Sequence, residues 1–155
     1  MSAYGPATPA HLEYWLGQGL SAGRKRVLNW FADLSERMAE VSVDGKPAFV
    51  LREDLEDLVA ARATDALRLL PVYDQWVMGP GTADPHVTPA ARRALVSGGA
   101  NVAIVGGVVA GLWTLKGDEL KVDWFNKKSA PAKSSVADEV KRLGRILDRP
   151  IHSDA

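Results

Sequence analysis

Apolar residues recur at helical spacing in two segments near the start of the chain. Thr8 and Pro9 form a helix-start signal, with Thr8 as the N-cap and Pro9 in the first turn. Gly17 and Gly19 are expected to end this helix, and Ser21 is expected to cap the next one. The apolar face of the second helix is predicted to hold Val27, Trp30, Phe31, Leu34 and Met38. Two helices joined by a short turn that contains glycine predict a helix-turn-helix.

A two-stranded hairpin is predicted directly after these helices. Residues 40–43 and 46–51 alternate between apolar and polar positions, and Asp44-Gly45 between them is a strong hairpin signal because both residues tolerate a positive φ. Pro47 restricts its strand to a sheet edge. A helix over Glu53–Arg62, with Leu55, Leu58 and Val59 on one face, is expected to complete the unit. The pattern predicts a winged helix-turn-helix over residues 1–63.

The second half of the chain has a pattern typical of strands. Residues 68–73 are predicted to form one strand, and the proline-rich segment 80–89 a loop. Residues 102–105 and 108–113 flank Gly106-Gly107 and predict a second hairpin. Residues 120–125 continue the meander as a further strand.

A polar linker over 127–134 and an amphipathic helix are predicted to follow this meander. Ser135, with Asp138 three residues later, resembles a capping box. The apolar stripe consists of Val136, Val140, Leu143 and Leu147, and Pro150 is expected to end the helix. The predicted fold class is therefore α+β: a winged helix-turn-helix unit, a small antiparallel β-rich, barrel-like domain with a C-terminal helix over 67–149, and a tail over 150–155.

Composition narrows the function classes. Hydrophobic residues make up 46% of the 155 positions, enough for a packed core, and no apolar run reaches the roughly 18 residues of a membrane helix. The absence of cysteine excludes disulfides and thiolate metal sites. A cytoplasmic location is the expectation, nucleoid-associated if the chain binds DNA, with no membrane partner.

The charge is balanced overall but unevenly distributed. Lys plus Arg number 19, as do Asp plus Glu, whereas strong nucleic-acid binders are usually basic. Residues 1–63 carry seven basic and nine acidic side chains, but residues 121–149 carry eight basic and four acidic. An anionic partner is therefore expected to meet local patches.

Seven residues are candidate contacts for double-stranded DNA. The first turns of the second helix carry three cations and an asparagine, residue types that read guanine and adenine in the major groove. A lysine at the wing tip and two in the linker are candidates for phosphate contact. The set is Arg24, Lys25, Arg26, Asn29, Lys46, Lys127 and Lys128. The alternative is that these charges only form a solvated surface.

Catalytic and metal sites have no support in the sequence. His11, His86 and His152 lack the spacing of metal ligands, there is no G-x-S-x-G elbow, and residues 106–111 read as a hairpin turn rather than a phosphate loop. No catalytic residue, metal or cofactor is predicted. Trp76, Trp113 and Trp124 can stack on nucleobases, but their predicted strand positions favour packing in the core.

Three segments resemble the winged-helix DNA-binding family that includes the AlkZ-like (YcaQ-like) DNA glycosylases. Residues 3–9 with Trp15-Leu16-Gly17 look like the opening of that family's last winged-helix unit. Residues 68–79 (RLLPVYDQWVMG) are similar to its "LLPxFDxYLLG" segment. Residues 105–113 (VGGVVAGLW) resemble its "VDGRVVGTW" hairpin. The match is in the right order over roughly residues 3–147 and corresponds to the C-terminal half of the family.

The resemblance implies winged helices and a small β-barrel that form a concave basic surface for DNA. It also implies removal of alkylated bases or unhooking of interstrand crosslinks by a Gln-x-Gln motif that lies far N-terminal of the matched region. This chain contains only Gln18 and Gln75, so the motif has no counterpart here. The turn at Gly106-Gly107-Val108 also lacks the acidic and arginine residues that are usual in the family.

Two functions from different classes follow. The leading hypothesis is a non-catalytic DNA-binding protein, or a C-terminal fragment related to the repair glycosylases. The alternative is a protein-interaction or dimerisation module that has lost DNA binding. The chain start leaves little room for a further helix, so the apolar faces around Trp15 and Trp30 need another cover. An intramolecular helix is expected to supply most of it, with a homodimer or an N-terminal partner chain covering the rest.

Overall fold

A computed structural model describes residues 4–17 and 23–153 of the chain. The chain divides into two compact units, Met1–Arg62 and Ala63–Ala155. Both contain helices and strands, which confirms the α+β class. Within the described residues, no helix has the length and apolar character needed to cross a membrane.

The first helix, α1 (Pro9–Gly17), begins as the sequence predicts. The Thr8 hydroxyl accepts a hydrogen bond from the His11 N–H at 3.2 Å, which satisfies one of the donors that a helix start leaves unpaired. The predicted end of this helix falls partly outside the described residues, because Gly19 and the turn to the next helix lie between positions 18 and 22.

The second helix, α2 (Arg24–Asp33), is shorter than predicted. Ser21 lies outside the described residues, and the residue at the N-cap is Gly23. Met38 is not part of the helical face. After a 3₁₀ turn over Ser35–Arg37 it opens strand β1 and is nearly fully buried. The apolar pattern continues across that boundary, so periodicity alone places the helix end too late.

The predicted hairpin is confirmed as β1 (Met38–Val43) and β2 (Lys46–Leu51), which pair antiparallel from Val43 with Lys46 to Met38 with Leu51. Asp44 and Gly45 have φ values of 50° and 75°, as a two-residue turn of type I′ requires. Ala7 adds an antiparallel bridge to Phe49, with N–H to carbonyl distances of 2.9 and 2.8 Å.

The third helix does not close the unit as predicted. A 3₁₀ turn over Arg52–Asp54 leads into α3 (Leu55–Ala60), which buries no residue. Leu58 and Val59 are 40% and 72% exposed.

The apolar faces of α1 and α2 instead pack on each other, and α2 also contacts the hairpin. Leu12 and Val27 are buried, and the Phe31 ring meets Phe49 edge-on with centroids 5.0 Å apart. Trp15 is half-buried beside Tyr4, whereas Trp30 is 42% exposed. The expected cover by the helix over Glu53–Arg62 is therefore not observed, and the described contacts of these faces come from α1, α2 and β2 themselves.

The second unit is built on one five-stranded sheet. Its strands, in their spatial order, are β3 (Leu67–Leu70), β4 (Val102–Val105), β5 (Val108–Lys116), β6 (Glu119–Trp124) and β7 (His152–Ser153). All neighbours are antiparallel except β6 and β7, which are parallel. The meander of three strands is confirmed. The predicted tail is wrong in part, because residues 152–153 join the sheet.

Strand β3 ends earlier than predicted. The interpretation of residues 68–73 as one strand fails because Pro71 has no N–H to donate to a neighbour and Tyr73 turns the chain with a φ of 63°. The chain then enters the short helix α4 (Gln75–Met78), and Asp74 caps it by accepting the Trp76 N–H at 2.8 Å.

Apolar residues pack on both faces of the sheet. One face, with Leu69 and Trp113, is covered by the last helix. The other, with Ile104 and Val109, is covered by α4, by the predicted loop over 80–89 and by α5 (Arg93–Ser97). An irregular register between Ala103 and Ile104 lets Val109 and Trp113, which are four residues apart, face opposite sides.

The last helix, α6 (Lys133–Ile146), begins two residues before the predicted Ser135 cap, with Ala132 at the N-cap. Val136, Val140 and Leu143 are buried against the sheet, but Leu147 follows the helix and is 43% exposed. Pro150 therefore lies beyond the helix end and does not terminate it. Within the predicted linker, residues 127–129 form a 3₁₀ turn.

Candidate nucleic-acid interface

The exposed side of α2 carries three of the seven predicted DNA contacts. Lys25, Arg26 and Asn29 are exposed, whereas Val27 on the inner side is fully buried. Lys25 and Asn29 are four residues apart and so share a face of the helix. Arg24 is the first residue of α2. The structure thus brings Lys25, Arg26 and Asn29 together on the solvent-exposed side of the first turns of α2.

The start of α2 favours anions beyond its side-chain charges. Gly23 has no side chain that can accept the first N–H groups, and the first turn contains no acidic residue. Unpaired N–H groups and the helix dipole place partial positive charge at a helix start, which is why phosphates bind there. Lys25 and Arg26 add two full charges at the same end.

Lys46 lies at the tip of the hairpin, as predicted. It is the first residue of β2, directly after the Asp44-Gly45 turn, and it is exposed. The tip also carries Asp44, so the local charge there is balanced. Lys46 is therefore positioned for a contact with a neighbouring phosphate but does not create a basic surface by itself.

Lys127 and Lys128 belong to the other compact unit. Both are exposed on the 3₁₀ turn, and the Asn126 side chain accepts the Lys128 N–H at 3.0 Å. This hydrogen bond fixes the backbone of the turn. Both lysine side chains extend from it into solvent, where a partner can reach them.

One of the basic residues after position 121 pairs with a buried carboxylate and is not available to a partner. Glu139 is 3% exposed, and its two carboxylate oxygens accept hydrogen bonds from Arg142, both at 2.6 Å. The same carboxylate accepts the Leu69 N–H at 2.8 Å and lies 3.6 Å from Arg68. The hydrogen bond to Glu139 raises the pKa of Arg142 against the opposing effect of its partial burial. Arg142 is therefore a structural cation.

Two features were missed by the sequence interpretation. Trp76 is 46% exposed on α4 and is not part of the core; its indole N–H donates to the Gly107 carbonyl at 3.1 Å. Trp113 is buried as predicted, and Trp124 is half-buried against the same core. The second feature is a group of cations along the C-terminal half of α6. The charge count of residues 121–149 indicated a basic excess but not its position.

One cavity among the described residues lies beside α4 and is small. This partly open cavity of about 100 Å³, lined by Pro71, Tyr73 and Val96, is well below the roughly 300–1,000 Å³ of typical small-molecule sites. No group of three His, Asp or Glu side chains in residues 4–17 and 23–153 is arranged to hold a metal ion.

Comparison with known proteins relates the chain to DNA repair enzymes. The sequence profile of the DNA glycosylase AlkZ-like family matches residues 1–146. An interstrand DNA cross-link repair glycosylase of Streptomyces sahachiroi is 34% identical over 149 residues, which cover 94% of this chain and 40% of that protein.

A solved structure gives the same result. The Streptomyces sahachiroi DNA glycosylase AlkZ superimposes with a TM-score of 0.86 at 33% identity, over 97% of this chain and 42% of the solved one. The chain thus spans about two fifths of the length of these relatives. With the profile match over nearly its whole length, the chain belongs to the AlkZ-like DNA glycosylase family.

Proposed function

We propose that this chain is a non-catalytic DNA-binding module, or a C-terminal fragment, related to the glycosylases that repair alkylated or crosslinked DNA, and that it acts in the cytoplasm. The observation that carries the proposal is the exposed group of Lys25, Arg26 and Asn29 at the electropositive start of α2. These residue types bind phosphates and read base edges when a helix start enters the major groove.

The order of elements in the first unit supports this proposal, and we assign it to a winged helix. The order is a short bridging segment at Ala7, then α1, α2 and the β1–β2 hairpin, and the bridge pairs with β2. In a helix-turn-helix the second helix is the one that enters the groove. That role falls to α2, and Lys46 at the hairpin tip becomes the wing contact.

The absence of a catalytic role is proposed from chemistry. Base excision needs a positioned group that activates or orients water at the sugar. The family's Gln-x-Gln motif has no counterpart among Gln18 and Gln75. The relatives' names describe glycosylases, but this chain corresponds to about two fifths of them. We therefore propose that this chain binds DNA without releasing a base.

Fluorescence anisotropy with a duplex of about 16 base pairs tests the proposed interface. The variant Lys25→Ala with Arg26→Ala is compared with Lys127→Ala with Lys128→Ala, which removes the same charge from an exposed turn. We expect the first pair to lower affinity at least tenfold and to reduce the slope of log K against log salt by about 2, because each phosphate contact contributes about 0.9. The second pair has a smaller effect. Equal losses would indicate diffuse electrostatics and no recognition helix.

The purified chain is also expected to release no base from an N7-alkylated duplex. Abasic sites are measured by strand cleavage with hot alkali, against a buffer control and a full-length family glycosylase as the positive control. Base release above buffer at catalytic protein concentration would contradict the non-catalytic assignment.

One observation favours the alternative, a protein-interaction or dimerisation module. Trp30 and Leu28 on α2 are 42% and 41% exposed, and Val59 on α3 is 72% exposed. Fully burying an apolar side chain contributes roughly 1.5–3 kcal/mol, so covering the exposed part of each of these would add a fraction of that amount. A homodimer or a partner chain would cover them. Light scattering decides between the two, because this alternative predicts a concentration-dependent dimer that Trp30→Ser disrupts and a chain that shows no salt-dependent DNA binding.

A further inference from the structure

A broad groove runs along the C-terminal half of α6. Its walls are the helix residues from Ala137 to Arg145 and the chain that returns over 148–153, and its volume is about 720 Å³. The return is tightly built. The Arg149 N–H donates to the Gly144 carbonyl at 3.0 Å, and the His152 N–H donates to the Asp118 carbonyl at 2.8 Å.

Gly144 makes the close approach possible. A Cβ at this position would lie 3.0 Å from the Arg149 carbonyl oxygen, tighter than ordinary contacts. The chain reverses at Asp148, which adopts a φ of 51°. The groove is therefore fixed by backbone contacts in the described part of this unit and does not depend on the rotamers of long side chains.

Cations dominate the walls of this groove. Lys141, Arg145 and Arg149 line it, and all three are exposed. Lys141 and Arg145 lie one helical turn apart, about 6 Å along the axis. Asp148 is the acidic residue in the lining, and Asp118 is 3.6 Å from Arg149. Asp138 lies on the preceding turn of the helix outside the lining, and Glu139 is turned into the core.

The floor of the groove is apolar, in contrast to its charged walls. Ala137, Val140 and Ile151 contribute apolar floor, and the Lys141 and Arg145 stems can lie along it while their charged ends stay in water. A partner with a regular row of negative charges beside apolar sugar groups fits such a groove. The sugar-phosphate backbone of duplex DNA has this chemistry, with one negative charge per roughly 1.7 Å of axis.

We propose that the groove lined by Lys141, Arg145 and Arg149 is a second DNA-backbone site, which holds phosphates of duplex DNA. The site carries no sequence information, because phosphate contacts position a protein on DNA without reading bases. The inference rests on the proposed DNA-binding function and adds a binding surface in the second unit.

The test compares three double variants of the full chain in anisotropy titrations with the same 16-base-pair duplex at several salt concentrations. Lys141→Ala with Arg145→Ala removes the groove cations. Arg93→Ala with Lys116→Ala removes two exposed cations of the same unit that do not line the groove and serves as the matched control. Lys25→Ala with Arg26→Ala reports on the proposed α2 contact.

The groove variant is expected to lower affinity about tenfold and to reduce the salt slope by about 2, with the control close to wild type. Amide chemical shifts of Gly144 and Ile151 in the wild-type chain are expected to move on titration with duplex and to stay unchanged with equimolar inorganic phosphate. Thermal unfolding of each variant checks that the fold is retained. The check is needed because these cations also lie near the C-terminus of the helix.

The outcomes separate the two proposals. An effect of the groove variant no larger than that of the control, with the α2 variant impaired, overturns the second site alone. Amide shifts that remain unchanged on addition of duplex overturn it as well. Absence of salt-dependent duplex binding by the wild-type chain overturns both proposals together.

Discussion

Glu139 offers the most direct test of how the second unit is held together. A carboxylate on α6 reaches the outer edge of β3, where it accepts the Leu69 N–H at 2.8 Å. Among the described residues, β4 is the one strand that pairs with β3, so the other side of β3 needs acceptors from elsewhere. Arg142 then holds the carboxylate with two hydrogen bonds at 2.6 Å. One side chain thus joins the helix to the sheet.

The expected loss of unfolding free energy follows from these contacts. Glu139→Ala leaves the buried Leu69 N–H without its acceptor, which costs about 1–3 kcal/mol. Breaking a buried ion pair costs about 3–5 kcal/mol when the other charge stays buried. Here the Arg142 and Arg68 side chains are 33% and 51% exposed and can turn to water, so the lower end applies. We expect a loss of about 3 kcal/mol, or a fall of about 12–24 °C in Tm for a unit of this size.

Two comparison variants isolate the cause. Glu139→Gln retains an amide oxygen for the Leu69 N–H but loses the charge that Arg142 binds, so its expected cost is about 1–2 kcal/mol. Asp138→Ala removes an exposed carboxylate from the neighbouring position and is expected to stay within about 0.5 kcal/mol of wild type.

The assay is urea unfolding followed by circular dichroism, with native-state hydrogen exchange at the Leu69 amide to locate the effect. Glu139→Ala should speed that exchange selectively within the second unit. If Glu139→Ala and Asp138→Ala lose the same stability, or if the Leu69 amide exchanges at the wild-type rate in Glu139→Ala, the reasoning is refuted.

Three further predictions concern packing and are checked by the same unfolding measurements. Gly111→Ala is expected to cost about 1–3 kcal/mol, because its Cβ would lie 2.7 Å from the Asp123 carbonyl oxygen, whereas Gly98→Ala, with contacts no closer than 3.4 Å, stays near wild type. Trp113→Phe should cost about 1–3 kcal/mol through loss of the indole hydrogen bond to the Leu70 carbonyl at 2.8 Å, and an unchanged midpoint would contradict this. Val27→Ala should destabilise the first unit by about 1–3 kcal/mol, whereas Leu28→Ala, 41% exposed, should not; the reverse order would mean that α2 presents the other face.

The hairpins were predictable because their signals are local. Asp44-Gly45 and Gly106-Gly107 adopt the positive φ values that their turn type requires, and the strands on either side lie within three residues of the predicted bounds. The exposure of Lys25 and Asn29 was also predictable, since the buried Val27 lies on the inner face of α2.

Helix boundaries were less predictable because they depend on the backbone around them. Ser135 has the right residue type for a cap, but α6 begins at Lys133, directly after Ala132. Met38 continues the apolar spacing of α2 and yet is the first residue of β1. In both places the residue pattern fits two solutions, and the packing of neighbouring elements selects one of them.

Burial of individual side chains required partners that lie far away in sequence. A glutamate within the amphipathic α6 is expected in solvent, but Glu139 is buried because an edge strand 70 residues earlier supplies the N–H and Arg142 supplies the charge. Nothing in the residues around position 139 encodes the position of β3. The groove cations share this origin, since Arg149 reaches α6 only after the chain has reversed at Asp148.

The tryptophans show the same dependence from the opposite direction. Trp76 and Trp113 both donate an indole hydrogen bond to a backbone carbonyl, of Gly107 and Leu70 respectively. The two differ in burial because Pro71 and the positive φ of Tyr73 end β3 before Trp76, so that this residue lies on α4 and not between sheet and helix. A hydrogen bond therefore fixes each ring, but the turn at residues 71–74 decides that one ring fills the core and the other stays at the surface beside the hairpin.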